Sequence, residues 1–195
     1  MKNNLDQMAR ELTGKKEKNI LIFINALKKC LKKDSFEKIS VSDIVAAAGR
    51  SRQTFYRSCD NKYDLVNKYL GMIILSSYWE MEKGKSLLEA LTLKFRIMES
   101  EKDLFSQTFL TNDYESLHRY THRLISSIYL DLHQKKSKVE PDKTRKLLLD
   151  MHCEESIYIT IKWSRGEIEN TPEEMAELLC DAMPAKLKGM YKEYL

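Results

Sequence analysis

One segment of 23 residues, SVSDIVAAAGRSRQTFYRSCDNK at positions 40–62, constrains the fold more than any other part of the chain. Ser40 followed by Asp43 forms a capping box, which predicts the start of a helix about two turns long. Gly49 supplies the left-handed conformation that commonly ends a helix. Ser51 is placed to cap a second short helix. The segment therefore predicts two short helices joined by a tight glycine turn.

Helices this short need a longer helix against which to bury their apolar sides. Apolar residues at helical spacing predict such a helix over 15–33, namely Ile20, Ile24, Leu27 and Leu31. The three predicted helices match the helix-turn-helix arrangement, in which the second helix of the motif enters the major groove of DNA.

The rest of the chain also predicts helices. Only 6 Gly and 3 Pro occur in 195 residues, fewer than the turns of an all-β or α/β protein require. Capping boxes at 86–89 and 171–174 predict two more helix starts. Residues 157–161 alternate like a strand, but no turn residue bounds them, and the helical spacing around them favours a helix.

The predicted fold class is therefore all-α, with three regions along the chain. Residues 1–14 are expected to be a flexible arm. Residues 15–62 are expected to form a three-helix helix-turn-helix domain, and residues 63–195 a second, larger helical domain.

Charge and cysteine usage narrow the range of functions. Residues 1–70 contain 15 basic and 8 acidic side chains, whereas residues 71–195 contain 18 and 21. A basic head on a mildly acidic body indicates contact with a polyanion. The polar N-terminus and the lack of a long apolar run predict a cytoplasmic protein without a membrane partner. The four scattered cysteines predict free thiols.

The start of the second short helix carries the residue types that read DNA. Arg52 can bind guanine through two hydrogen bonds, and Gln53 can do the same for adenine, so these two are the predicted base contacts. Hydroxyls near helix starts, and a lysine at the start of the next helix, suit phosphate oxygens. The predicted phosphate contacts of this kind are Ser42, Ser51, Thr54, Tyr56 and Lys62.

This segment resembles the DNA-binding domain of the tetracycline-repressor (TetR) family. The matching positions are Ile44, Ala48, Gly49, Ser51, Thr54, Phe55, Tyr56, Lys62 and Leu65. The resemblance implies a homodimer that binds a palindromic operator in double-stranded DNA and acts as a repressor. Two positions depart from the family pattern: Arg50 replaces a hydrophobic residue and Cys59 replaces Phe. We expect both to reduce packing around the reading helix, and Arg50 to add a phosphate contact.

The C-terminal part resembles a TetR subgroup that includes regulators of dihydroxyacetone kinase operons. The matching motifs are IKW at 161–163, Gly166 and TPEE at 171–174. The resemblance implies that the helices at about 144–164 and 171–183 pair across a dimer interface. The candidate interface residues, each of which could instead be core, are Leu147, Met151, Tyr158, Trp163, Leu178 and Met183.

The family resemblance also implies that residues 63–195 form a helical regulatory and dimerisation domain, which responds to a signal. Aromatic and sulfur-bearing residues of the middle helices are candidates for a small-molecule effector pocket, although such a stripe is also typical of a core. They are Trp79, Phe95, Met98, Phe105 and Phe109. A protein partner is the alternative signal. His118 and His122 have a spacing that can hold a metal, but no further ligand accompanies them, so we predict no metal and no cofactor.

The leading hypothesis is a DNA-binding transcription regulator, a repressor released by a small-molecule effector. The alternative is a protein-interaction adaptor or co-regulator whose head no longer reads DNA because Arg50 and Cys59 have loosened it. A helical enzyme is the third class, and the sequence shows no catalytic constellation to support it.

Overall fold

The computed structural model describes residues 4–109, 114–137 and 139–195. All regular elements in these residues are helices, as predicted. In chain order they are α1 (Asn4–Glu11), α2 (Gly14–Leu31), α3 (Val41–Ala48), α4 (Arg52–Tyr56), α5 (Lys62–Glu82), α6 (Leu87–Ser100), α7 (Lys102–Thr108), α8 (Tyr114–Ser137), α9 (Lys143–Ser164), α10 (Pro172–Asp181) and α11 (Ala185–Lys188). No described helix is long and apolar enough to cross a membrane.

Helices α2, α3 and α4 form the predicted helix-turn-helix arrangement. The capping box of Ser40 and Asp43 is present at the start of α3. Gly49 ends that helix with a φ of 59°, a left-handed conformation that a side chain would strain. Phe55 of α4 is fully buried, and its ring meets that of Phe23 of α2 edge-on with a centroid distance of 5.0 Å. The long helix α2 therefore supports both short helices, as the sequence predicts.

The prediction of a flexible arm over 1–14 is wrong for most of its length. Residues 4–11 form α1, and Leu5, Met8 and Leu12 are buried. Helix α1 packs against α8 and α2. The apolar spacing of these three residues is helical, but the segment is short and polar elsewhere, so only its tertiary contacts make it part of the core. Residues 1–3 lie outside the described residues.

Helix α5 connects the helix-turn-helix to the rest of the chain. Its N-cap is Asn61, whose side chain accepts a hydrogen bond from the Asp64 amide at 2.8 Å. Asp60, one residue earlier, is of a type that often caps helices, but here its amide donates to the Asp64 carboxylate at 2.9 Å. Helix α5 packs against α2 at one end and against α6 and α8 along its length.

Helices α6, α8, α9 and α10 complete the body. Helix α10 packs on α6, and α8 packs on α9. Helix α9 is continuous through 157–161, as predicted, and α10 begins with the predicted capping box and Pro172. Beyond the short α11, Tyr191 is buried and its hydroxyl donates to the carbonyl of Tyr129 at 3.0 Å, which fixes the C-terminal segment to α8.

Candidate DNA-reading surface and ligand cavities

The first turn of α4 is ordered by its own side chains. The Ser51 hydroxyl accepts a hydrogen bond from the Thr54 amide at 3.1 Å. The two hydroxyl oxygens are also 3.0 Å apart and share a hydrogen bond. Because both side chains are fixed before any ligand arrives, the start of α4 presents a preformed surface. Gln53 lies between them and is exposed to solvent.

Arg52 and Tyr56 form a pair on the exposed side of α4. The guanidinium donates a hydrogen bond of 3.4 Å to the tyrosine hydroxyl, and it lies 6.0 Å from the ring centroid. Tyr56 is 48% exposed. A guanidinium has five donors, so most remain available to bases or phosphates. The structure thus places the two predicted base contacts and the predicted tyrosine on one exposed face.

The support beneath α4 is well packed despite the unusual residues. Cys59 is 1% exposed, and burial raises the pKa of its thiol to about 12. The side-chain amide of Asn19 donates to the Ser58 hydroxyl at 3.0 Å, and Lys68 donates to the Ser58 carbonyl at 2.8 Å. Cys59 is therefore enclosed by its neighbours, although its side chain is smaller than the phenylalanine of the family pattern. Arg50 is exposed and is not part of this support.

Lys62 has a different environment from the one that the sequence suggests. Its ammonium donates to the carbonyl oxygens of Phe36, Glu37 and Ile39 at 2.7, 3.0 and 2.9 Å. Partial burial lowers its pKa. An ammonium has three protons, and all three are used here. Lys62 therefore links the connection between α2 and α3 to α5, and its ammonium is not free to contact a phosphate, contrary to the prediction.

The predicted dimer residues separate into two groups. Leu147, Met151 and Tyr158 lie along one face of α9 and are 60%, 53% and 54% exposed. Leu178 of α10 is also exposed. These exposed residues form an apolar stripe on α9, which the exposed Glu154 and Glu155 interrupt between Met151 and Tyr158.

Trp163 and Met183 are buried instead, so their assignment to the interface is wrong. The Trp163 ring meets Phe95 edge-on at a centroid distance of 5.3 Å, and its indole N–H donates to the Asn170 carbonyl at 2.7 Å. These contacts hold the turn between α9 and α10 against α6.

The predicted effector residues also do not form one pocket. Trp79 is 39% exposed, whereas Phe95 and Phe105 are fully buried among core residues. Met98 and Phe109 are among the lining residues of one cavity in the described part of the chain. The core interpretation is therefore correct for Phe95 and Phe105, and Trp79 lies on the surface.

Two cavities lie among α5, α6, α8 and α9, with volumes of about 60 and about 20 Å³. Ile74, Lys94 and Ile125 line both, so the two cavities adjoin. Lys94 is only 6% exposed, and burial lowers its pKa to about 7. The sequence gives little reason to expect this, because Lys94 stands among polar and apolar residues in an ordinary amphipathic helix.

His118 and His122 pair with carboxylates across the α8–α9 contact. His118 Nε2 lies 2.7 Å from a Glu154 carboxylate oxygen, and His122 Nε2 lies 3.0 Å from one of Asp150. These pairs connect the two helices. Among the described residues, no group of three or more His, Cys, Asp or Glu is arranged to hold a metal ion.

Comparisons with known proteins agree with this fold. A model of the C-terminal region of TetR-type transcriptional regulators matches residues 85–184. The solved structure titled "Dihydroxyacetone kinase operon activator DhaS" aligns with a TM-score of 0.54 at 20% identity, covering 90% of this chain and 97% of that one.

The TetR family repressor AlkX from Dietzia sp. strain DQ12-45-1b, implicated in the biodegradation of n-alkanes, aligns with a TM-score of 0.51 at 19% identity, covering 87% of this chain and 98% of that one. No curated protein matches the sequence. At these identities the structures show the shared fold, and the family model covers just over half of the chain. The chain belongs to the TetR family and is a DNA-binding transcriptional regulator.

Proposed function

We propose that the protein binds a palindromic operator as a homodimer, with α4 of each subunit in the major groove. The observation that carries this proposal is the exposed face of α4. There Gln53 lies next to the Arg52–Tyr56 pair, and the buried Phe55 and Cys59 support the helix from below. In a helix-turn-helix, this end of the second helix meets the base edges. Arg52 and Gln53 are the proposed base contacts. The proposed phosphate contacts are Ser42, Arg50, Ser51, Thr54 and Tyr56.

The proposed dimer interface is the apolar stripe on α9 together with Leu178 of α10. Leu147, Met151 and Tyr158 expose more than half of their side-chain surface, and an isologous contact would bury them against the same stripe of a second copy. A dimer of this kind presents two copies of α4 to the two halves of a palindrome.

We propose that the protein acts by repression and is released by a small-molecule effector that binds in the cavities of the body. Repression requires only that the operator is occupied, whereas activation requires a further contact with the transcription machinery. The two related structures are titled as one activator and one repressor, so the sign is part of the proposal. A cytoplasmic location and the absence of enzymatic activity are further parts of it.

Binding of selected duplexes by variants of α4 tests the proposal. Duplexes are first selected from a random library with the wild-type protein, and their affinities are then measured by fluorescence anisotropy. Gln53→Ala should weaken binding of the preferred duplex by about 1–3 kcal/mol. It should also relax the base preference at one position of each half-site. Tyr56→Phe should weaken binding of all duplexes to a similar degree, because a phosphate contact does not depend on the base sequence. Lys192→Ala is the matched control, because Lys192 is an exposed charged residue of the C-terminal tail.

Two results would contradict the proposal. One is selection that yields no two-fold motif. The other is equal affinity of the Gln53→Ala and Lys192→Ala variants for the selected duplexes. Stable capture of a protein partner by all variants would then favour an adaptor.

A further inference from the structure

We propose that the two adjoining cavities bind a small amphipathic carboxylate, with its head group between Lys94 and Thr121 and its short alkyl chain in the larger cavity. This inference rests on the proposed function, because it assigns a chemical class to the effector. The cavities lie among α5, α6, α8 and α9, and they share Lys94, Ile74 and Ile125 as lining residues.

Lys94 is a buried amine whose ammonium has no hydrogen-bond acceptor among the described residues. It is 6% exposed, and no described residue forms an ion pair with it. Its Nζ lies 3.9 Å from the centroid of the Phe95 ring, and this cation–π contact offsets only part of the cost of removing an ammonium from water. The lowered pKa of about 7 agrees with an amine that has no compensating anion.

Thr121 is a second unsatisfied polar group at the same place. Its Oγ is buried and has no hydrogen-bond partner, and the residue lines the smaller cavity together with Lys94. Buried hydroxyls are normally hydrogen-bonded, so the Thr121 hydroxyl is available to donate to a ligand in this cavity. A bound acceptor with two oxygens would satisfy both the Lys94 ammonium and the Thr121 hydroxyl.

The sign of the missing charge follows from the lining residues. Among the described residues, no Asp or Glu lines either cavity. The hydroxyl of Ser156, which lines the larger cavity, already donates to the His152 carbonyl at 2.7 Å, and that of Ser77 donates to the Ile73 carbonyl at 3.3 Å. Among the described lining residues, an anion would therefore meet the cationic Lys94 and no carboxylate.

The larger cavity selects an apolar body of limited length. Most of its wall is aliphatic, including Leu87, Leu91, Ile128 and Leu132. Its volume is about 60 Å³, well below the roughly 150 Å³ of an apolar cavity that binds benzene. A short straight alkyl chain fits this space better than a ring. The ligand class is therefore a straight-chain carboxylic acid rather than an aromatic or a long-chain one.

Isothermal titration calorimetry without DNA tests this assignment directly. Straight-chain carboxylates from acetate to octanoate are titrated into the full chain at pH 7, alongside the alcohol of the same length for each. The wild-type protein should bind a carboxylate of intermediate length at least about tenfold more tightly than its alcohol, because one charge-assisted hydrogen bond contributes about 1.5–3 kcal/mol.

Lys94→Met and Thr121→Val separate the roles of the two groups. Both replacements keep the approximate side-chain shape and remove an unsatisfied buried group, so the variants should fold. Lys94→Met should lose the preference for the carboxylate and retain binding of the alcohol, and Thr121→Val should weaken the carboxylate about threefold to tenfold. Lys192→Met is the control and should bind as the wild type does.

The inference is overturned if no carboxylate of the series binds the wild-type protein, or if Lys94→Met binds carboxylates as tightly as the wild type. Either result leaves operator binding, which is measured separately with DNA, unaffected. Failure to select a palindromic duplex, in contrast, would overturn the proposed function while the calorimetric result on the cavity stood.

Discussion

Lys28 Nζ of α2 lies 2.5 Å from a carboxylate oxygen of Glu101, so the DNA-binding helices are tied directly to the junction of α6 and α7. The Tyr69 hydroxyl of α5 donates to the same carboxylate at 2.9 Å. Burial raises the pKa of Tyr69, and the neighbouring Glu101 raises it further. One carboxylate therefore joins three elements at the point where the reading head meets the body.

Removing this carboxylate should destabilise the protein more than removing an ordinary surface carboxylate. The Glu101 side chain is 17% exposed, so Glu101→Ala leaves Lys28 and Tyr69 without a partner and should lower the free energy of unfolding by about 1–3 kcal/mol. Glu80, which pairs with the well-exposed Lys83, is the matched control, and Glu80→Ala should cost less than about 1 kcal/mol. Urea denaturation measures both. Equal effects of the two substitutions would show that the Glu101 contacts contribute no more to stability than an exposed ion pair does.

Lys62 provides a test that separates a structural role from contact with DNA. Lys62→Met removes three hydrogen bonds to the carbonyls of residues 36, 37 and 39, and should lower the free energy of unfolding by about 1–3 kcal/mol. The slope of log K against log salt for operator binding should stay as in the wild type. A phosphate contact would give the opposite pattern, with unchanged stability and a slope smaller by about 1.

The apolar stripe of α9 should determine the oligomeric state. Leu147→Glu places a charge on the most exposed residue of the proposed dimer interface and should convert the dimer to monomer at micromolar concentration. Leu130→Glu on α8 is the control, because Leu130 is also an exposed leucine and lies outside the stripe. Sedimentation equilibrium measures the mass. A Leu147→Glu protein that remains dimeric would place the interface elsewhere.

His152 should make the protein sensitive to acid. It is 2% exposed, its Nδ1 has no hydrogen-bond partner, and burial lowers its pKa from 6.5 to about 4. Between these values the unfolded chain binds a proton that the folded chain does not. Stability is therefore lost as the pH falls from about 6.5 to about 4, and the loss amounts to about 3 kcal/mol.

His152→Leu removes this titration. Urea denaturation of both proteins at a series of pH values gives two curves of unfolding free energy, and contributions from other groups cancel in their difference. The difference should be constant above about pH 7 and change in favour of the variant as the pH falls to about 4. Parallel curves throughout this range would contradict the account.

The parts of the fold that follow from local interactions were predictable from sequence. Ser40 and Asp43 are three residues apart, and so are Ser51 and Thr54, so the two caps depend on sequence neighbours alone. Gly49 adds a backbone requirement that few residues other than glycine meet easily. These signals predict α3, the turn and the start of α4 correctly.

The parts that depend on distant contacts were not predictable in this way. Lys62 binds carbonyls 23 to 26 residues earlier in the chain, and no local pattern indicates them. Helix α9 carries apolar residues on more than one of its faces. Helical periodicity therefore does not show whether Trp163 belongs to the core or to the interface. The local sequence around Lys94 is typical of a solvent-exposed lysine. It is enclosed because four helices pack around it.

The most direct test of the central claim is capture of sheared genomic DNA by the purified protein, followed by sequencing of the retained fragments. Wild-type protein and a variant carrying both Arg52→Ala and Gln53→Ala are compared at the same salt concentration. The account predicts that the wild type enriches fragments sharing one two-fold motif and that the variant loses this enrichment. The absence of any shared motif at low salt, or the same motif retained by the variant, would contradict the claim that α4 reads a palindromic operator.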